Sequence, residues 1–196
     1  MARTALLVLD MFNLFDYPDG PALARAARRI APAILRLRAH FDRADAPVIH
    51  VNDNFADWRG DFGDLVGACL AGGGDPAAIA GRLAPGPGHY YILKPKHSAF
   101  MCTALPVLLA QLGVERLAIA GIAADACVLA TAQDANMREF EVWVPSDCVA
   151  ARDPAAKRRA LALLAGSTGA RTAASGQVRG VFPAGAGAPP HASKRS

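Results

Sequence analysis

Residues 121–135 read GIAADACVLATAQDA, and their placement decides the fold. The four apolar residues Leu117 to Ala120 just before them predict a short buried strand. Asp125 to Arg138 predict a helix. Cys127 falls at the junction. A thiol there faces the positive end of a helix dipole and a set of unpaired backbone N–H groups, which is expected to lower its pKa and to offer donors to an oxyanion. A cysteine nucleophile requires that combination.

Working outward, the same strand-then-helix rhythm recurs. Thr4 to Leu9 (TALLVL) is a buried strand whose first polar follower is Asp10. Pro21 to Asp42 carries apolar residues at Ile30, Ile34, Leu35 and Leu37 and predicts an amphipathic helix. Pro47 to Val51 is a second strand. Asn52 to Gly74 is loop-like and ends in the Gly72-Gly73-Gly74 break. Tyr90 to Leu93 is a third strand, ending at Lys94, and Thr103 to Leu112 is a helix stopped by Gly113. Glu141 to Val144 is a fifth strand, Pro154 to Ala165 a helix, and Arg171 to Ala174 a weaker sixth strand. Strands of this length alternating with helices predict an α/β fold: a three-layer α/β/α arrangement around a mostly parallel, doubly wound sheet of about six strands. Ligands in such sheets bind beyond the carboxyl ends of the strands, near a topological switch point. Asp10, Lys94 and Cys127 all fall at such ends and are expected to meet in one crevice.

The 196 residues suit one domain, expected over residues 1–182, with a Gly/Ala/Pro-rich tail at 183–196 expected to be disordered. Composition is that of a globular protein, 53% hydrophobic and 19% charged. The net charge of +4 comes partly from Lys194 and Arg195 and partly from arginines scattered through residues 25–43. No basic run is interleaved with aromatics, so no nucleic-acid partner is expected. No apolar run of roughly 18 residues is present, so no membrane partner is expected either. Four widely spaced cysteines without a CxxC pair, and no secretory signal, predict a cytoplasmic protein with reduced thiols.

Three separated motifs then converge on a family. LLVLDMFN around Asp10, KPKHSAF from Lys94, and GIAADACVLATAQDA followed by VPSDCVA resemble the isochorismatase-like cysteine hydrolases. That superfamily includes nicotinamidase, N-carbamoylsarcosine amidase, and ureidoacrylate and biuret amidohydrolases. The resemblance runs over roughly residues 4 to 175, in the expected order and spacing. It implies Cys127 as nucleophile, Asp10 as the base that takes the thiol proton and returns it to the leaving amine, and Lys94 as the cation that holds both. It also implies a cis peptide between Ile122 and Ala123, turning the Ala123 N–H toward the substrate oxygen, so that the Ala123 and Cys127 N–H groups form an oxyanion hole. Taken singly, each residue has an ordinary reading: a buried thiol, a turn cap, a surface lysine. Cys69, Cys102 and Cys148 are expected to be inert.

The sequence departs from the metal-binding members at defined places. Asp53 matches the aspartate of their Asp-x-His pair, but Phe55 and Asp61 stand where histidines are expected, so no metal or other cofactor is expected. Phe12, Phe15, Asn54, Trp58 and Phe100 are candidates to line the substrate pocket. The resemblance implies a small-molecule substrate and a homodimer or homotetramer. The expected reaction is metal-independent hydrolysis of a small carboxamide, ureido or carbamoyl compound through a thioester, which a water activated by Asp10 is expected to hydrolyse. A vinyl-ether hydrolase that does not need the thiol, and a non-catalytic subunit that keeps the fold, remain open at this point.

Overall fold

The computed structural model describes residues 2–54 and 58–184. Phe55 and residues 185–196 of the expected tail therefore lie outside the described residues. Among the described residues the sheet has five parallel strands in the order β3-β2-β1-β4-β5, with β1 at Arg3–Leu9, β2 at Val48–Asp53, β3 at Tyr90–Lys94, β4 at Val114–Gly121 and β5 at Glu141–Trp143.

The central strand shows why the layers form. β1 is buried from Thr4 to Leu9. Its side chains alternate between two cores: Leu6 and Val8 pack into one, Ala5, Leu7 and Leu9 into the other. A strand that must bury both faces is apolar throughout, which is why this stretch carries no polar alternation. One core is closed by α1 (Gly20–Arg43), α2 (Phe62–Ala71) and α3 (Gly74–Leu83). The other is closed by α4 (Leu105–Gln111), α5 (Leu129–Met137) and α6 (Pro154–Thr168). The chain moves outward from β1 to β2 and β3, then crosses back to β4 on the other side of β1. The switch point therefore lies at the carboxyl ends of β1 and β4, where such folds open a crevice.

Three local expectations are corrected. The expected sixth strand is a single bridge, Arg171 opposite Trp143, held by Val144 N–H to Arg171 O at 2.8 Å and Arg171 N–H to Val142 O at 3.0 Å. The stretch read as a loop from Asn52 to Gly74 contains α2. Its start is a reciprocal cap: the Asp61 carboxylate accepts from Asp64 N–H at 3.0 Å, and the Asp64 carboxylate from Asp61 N–H at 2.9 Å. Phe62, Leu65 and Cys69 then bury one face of a helix that the surrounding aspartates and glycines disguise. Finally, the helix expected from Asp125 begins as a π-helical turn, Ala124–Val128, before α5 starts at Leu129.

Gly121 fixes how the end of β4 meets the end of β1. It adopts φ +118°, and a Cβ there would overlap the carbonyl oxygen of Leu9. The close approach lets Ile122 N–H donate to Leu9 O at 3.1 Å. Glycine is the residue that tolerates both the dihedral and the contact. The chain carrying Cys127 is thereby drawn against the chain carrying Asp10.

Candidate active site

Asp10 is the first residue after β1. It takes φ +52°, a left-handed conformation that aspartate tolerates better than most residues, while its N–H still bonds Val51 O at 2.9 Å. Its carboxylate is buried and held on both oxygens. Oδ1 accepts the Asp53 N–H at 2.7 Å, and Oδ2 lies 3.0 Å from the Lys94 ammonium. Oδ2 accepts no well-directed hydrogen bond, the ammonium contact being an ion pair, so it is open to receive a proton.

Asn52, which sequence reasoning passed over, braces this turn. Its Oδ1 accepts Phe12 N–H at 3.0 Å, and its Nδ2 donates to Phe12 O at 2.8 Å and Asp53 O at 3.1 Å. One buried amide thus joins the chain leaving β1 to the end of β2. An Asn inside an apolar strand is the signal that could have found it, since a buried amide demands partners.

Lys94 closes β3, in register with Asp53. It is 0% exposed. A lysine so deeply buried needs compensating charge. Lys94 finds Asp10 at 3.0 Å, Asp53 at 3.9 Å and the Cys127 sulfur at 3.4 Å. Asp53 therefore does two things: its backbone orients Asp10, and its half-exposed carboxylate faces Lys94.

The structure brings Cys127 to the same point. Its turn is closed by Val128 N–H and Ala126 N–H donating to Ala123 O at 3.1 and 3.0 Å. The Ile122–Ala123 peptide bond is cis. On the solvent side of the sulfur stands His97, with Nδ1 at 3.6 Å. Sequence reasoning quoted this histidine within KPKHSAF and gave it no role. The loop carrying it is stitched to α5: Ser98 Oγ donates to Asp134 at 2.7 Å, and Ala99 N–H to Thr131 Oγ1 at 3.0 Å.

The electrostatics correct one expectation. The thiol is not acidified. Burial, then the Asp10 charge, push Cys127 up to about 12, and Lys94 offsets this only in part. Burial also pushes the Asp10 carboxyl above the usual carboxylate range, with Lys94 opposing. Burial works against the Lys94 charge, but Asp10 and Cys127 outweigh it and Lys94 is raised. The site thus sets the Lys94–Asp10 pair, at 3.0 Å, beside a neutral thiol. The sequence sets Lys94 and a helix end against the Asp10 charge; burial of the sulfur, the largest effect, tips the balance the other way.

The remaining candidates are distributed differently. Phe12 is buried with its ring against Phe62 and His50, and Phe15 is buried in the same core. Phe100 packs in the opposite core against Phe140, with Arg138 over its face. Asn54 N–H bonds Lys94 O at 3.4 Å, beside the ion pair. Trp58 is 61% exposed. All four cysteines are free; Cys69 and Cys148 are buried and Cys102 exposed. Asp61, one of the positions where metal-binding relatives would offer histidine, spends its carboxylate on the α2 cap.

A doubly wound α/β fold with a buried Asp–Lys pair against a cysteine at the switch point defines a hydrolase-type site. The isochorismatase domain family matches residues 4–175. An uncharacterized isochorismatase family protein of Bacillus subtilis, YaaI, is 38% identical over 163 residues, covering 83% of this chain and 89% of that protein. The ureidoacrylate amidohydrolase RutB of Azorhizobium caulinodans is 35% identical over 164 residues, covering 70% of this chain and 72% of that one. Among solved structures, N-carbamoylsarcosine amidase of Thermoplasma acidophilum superposes with a TM-score of 0.68 at 28% identity, covering 91% of this chain and 99% of that one. The chain belongs to the isochorismatase family of hydrolases.

Proposed function

We propose that this protein is a metal-independent cysteine amidohydrolase that cleaves a C–N bond of a small carboxamide, ureido or carbamoyl compound. The observation that carries the reading is the convergence of three strand ends on one sulfur: Lys94 Nζ is 3.4 Å from Cys127 Sγ and 3.0 Å from Asp10 Oδ2. The amidohydrolase and amidase among its relatives support the bond type.

The geometry suggests this order of events. Because the resting thiol is neutral, its proton leaves only as sulfur attacks the substrate carbonyl, passing to Asp10, which shares the Lys94 ammonium with the sulfur. Lys94 stabilises the thiolate as it forms. The Ala123 and Cys127 N–H groups serve as the oxyanion donors. Asp10 returns the proton to the departing nitrogen, leaving a thioester on Cys127 that water then hydrolyses.

A second reading has its own support: a carboxyl pushed above its usual range is suited to act as an acid, as vinyl-ether hydrolysis requires. One experiment separates the two. Ammonia release from a panel of small amides and ureas should vanish in Cys127→Ala. Activity on isochorismate that survives Cys127→Ala but not Asp10→Ala supports the alternative.

The hydrolase unit is proposed to span residues 1–182, since Phe182 still packs edge-on against Trp143. Free cysteines fit a cytoplasmic location, and no helix of the described residues is long and apolar enough to cross a membrane. A homodimer or homotetramer is proposed, supported by the exposed Tyr91 on the edge strand β3 and the exposed Val107 on α4 beside it.

A further inference from the structure

Two nitrogens flank the Cys127 sulfur, and the reaction as proposed uses only one of them. Lys94 Nζ, at 3.4 Å, is fully buried; His97 Nδ1, at 3.6 Å, belongs to an exposed residue. The two sides of the sulfur are chemically different. On the buried side a fixed ion pair handles a proton that never meets solvent. On the open side stands an imidazole, the side chain best suited to exchange protons with water near neutral pH.

Its position is not that of a loosely placed surface group. The loop after Lys94 is fastened at Ser98 to Asp134 and at Ala99 to Thr131, both on the helix that follows the nucleophile. Thr103 Oγ1 donates to Ala99 O at 2.6 Å and accepts Leu105 N–H at 3.1 Å, closing the loop on itself. Phe100 N–H donates to Ser98 Oγ at 3.2 Å. His97 is thus carried by a segment tied on its C-terminal side to α5 and on its N-terminal side to the sheet through Lys94.

Resting on the cysteine-hydrolase reading above, we infer that His97 is a catalytic residue of the second half-reaction, the general base that breaks down the thioester. Once the first leaving group has departed with the proton that Asp10 carried, the acyl group is bonded to Sγ. Water reaches that carbon from the open side. His97 Nδ1 takes a proton from the water as its oxygen bonds to the carbonyl carbon. The tetrahedral intermediate collapses, the C–S bond breaks, and the electron pair stays on sulfur. His97 Nδ1–H then gives its proton to the thiolate. The acid is released, the thiol and the neutral imidazole are restored, and no further reactant is consumed. The two proton carriers divide the work: Asp10 serves acylation, His97 serves deacylation.

4-Nitrophenyl acetate serves as the probe, because it acetylates a nucleophilic thiol whatever the natural substrate. In the full chain it should give a burst of nitrophenolate followed by slower turnover, with acetate on Cys127. In His97→Asn the burst rate should stay within about threefold, while steady turnover falls roughly 100-fold, the size expected for loss of a general base. Acetyl-Cys127 should then accumulate by mass. His97 is exposed, so the variant is expected to fold. Unchanged deacylation, or burst and turnover falling by the same factor, overturns the inference. Absence of acetyl-Cys127 in the unsubstituted protein overturns the nucleophile reading itself, and this inference with it.

Discussion

The Lys94 ammonium lies 3.0 Å from Asp10 Oδ2, with Lys94 0% and Asp10 5% exposed. The two residues come from strands separated by β2, and the pair spans the end of the sheet. A buried ion pair is costly to break from one side, because the remaining charge is left without compensation. Lys94→Met should therefore destabilise the protein by about 3–5 kcal/mol, a drop of roughly 10 °C in Tm. Asp10→Asn combined with Lys94→Met should recover much of that stability while remaining inactive. Thermal melts of the single and double variants check this.

The same pair controls the thiol. Burial and then Asp10's negative charge hold Cys127 up to about 12, against the pull of Lys94. Removing the carboxylate charge lowers the thiol pKa, so Asp10→Asn should be alkylated by iodoacetamide at neutral pH faster than the unsubstituted protein. It should nevertheless lose hydrolytic activity, because the proton acceptor is gone. Alkylation rates measured across pH would show the curve shifted to lower pH.

Packed against Phe12, His50 gives the stability a pH dependence. Burial, with His89 and Arg38 nearby, pushes its pKa down to about 3 from the usual 6.5. The folded protein thus holds His50 neutral, while the unfolded chain binds a proton below about 6.5. Its contribution is present above that pH and declines as pH falls toward 3, by about 1.4 kcal/mol per pH unit. Urea unfolding between pH 7 and pH 4.5 should show this slope, and His50→Gln should flatten it. Comparing the two proteins removes the opposite contribution of Asp10, whose raised carboxyl favours the folded state as pH falls.

Much of this was legible in the sequence, for physical reasons. Buried parallel strands are apolar throughout, so β1 and β4 stand out, and the first polar residue after each strand marks the functional edge. Asp10, Lys94 and the Cys127 turn follow from that rule. What escaped notice depends on contacts between distant segments. Asn52 matters because it reaches Phe12, and His97 because its loop is fastened to Thr131 and Asp134. The raised thiol pKa escaped as well: the opposing charges of Asp10 and Lys94 were expected, but the burial that outweighs them has no local signature. α2 was hidden by its own capping aspartates, which read as loop residues.

Gly121 tests how the fold supports the site. Its φ of +118° and its contact with Leu9 O leave no room for a side chain. Gly121→Ala should cost about 3 kcal/mol or more, through strain and displacement of the Cys127 turn from Asp10. Denaturant unfolding would show the loss, and any folded fraction should be far less active.

The central claim is that Cys127 becomes covalently acylated and then freed. Rapid acid quench during turnover of a hydrolysed amide, followed by intact-protein and peptide mass analysis, tests it most directly. A cysteine amidohydrolase should show the mass of the acyl fragment on the peptide containing Cys127, accompanied by an equal amount of released ammonia or amine. Undiminished hydrolysis by Cys127→Ala, with no adduct at any time point, would contradict it.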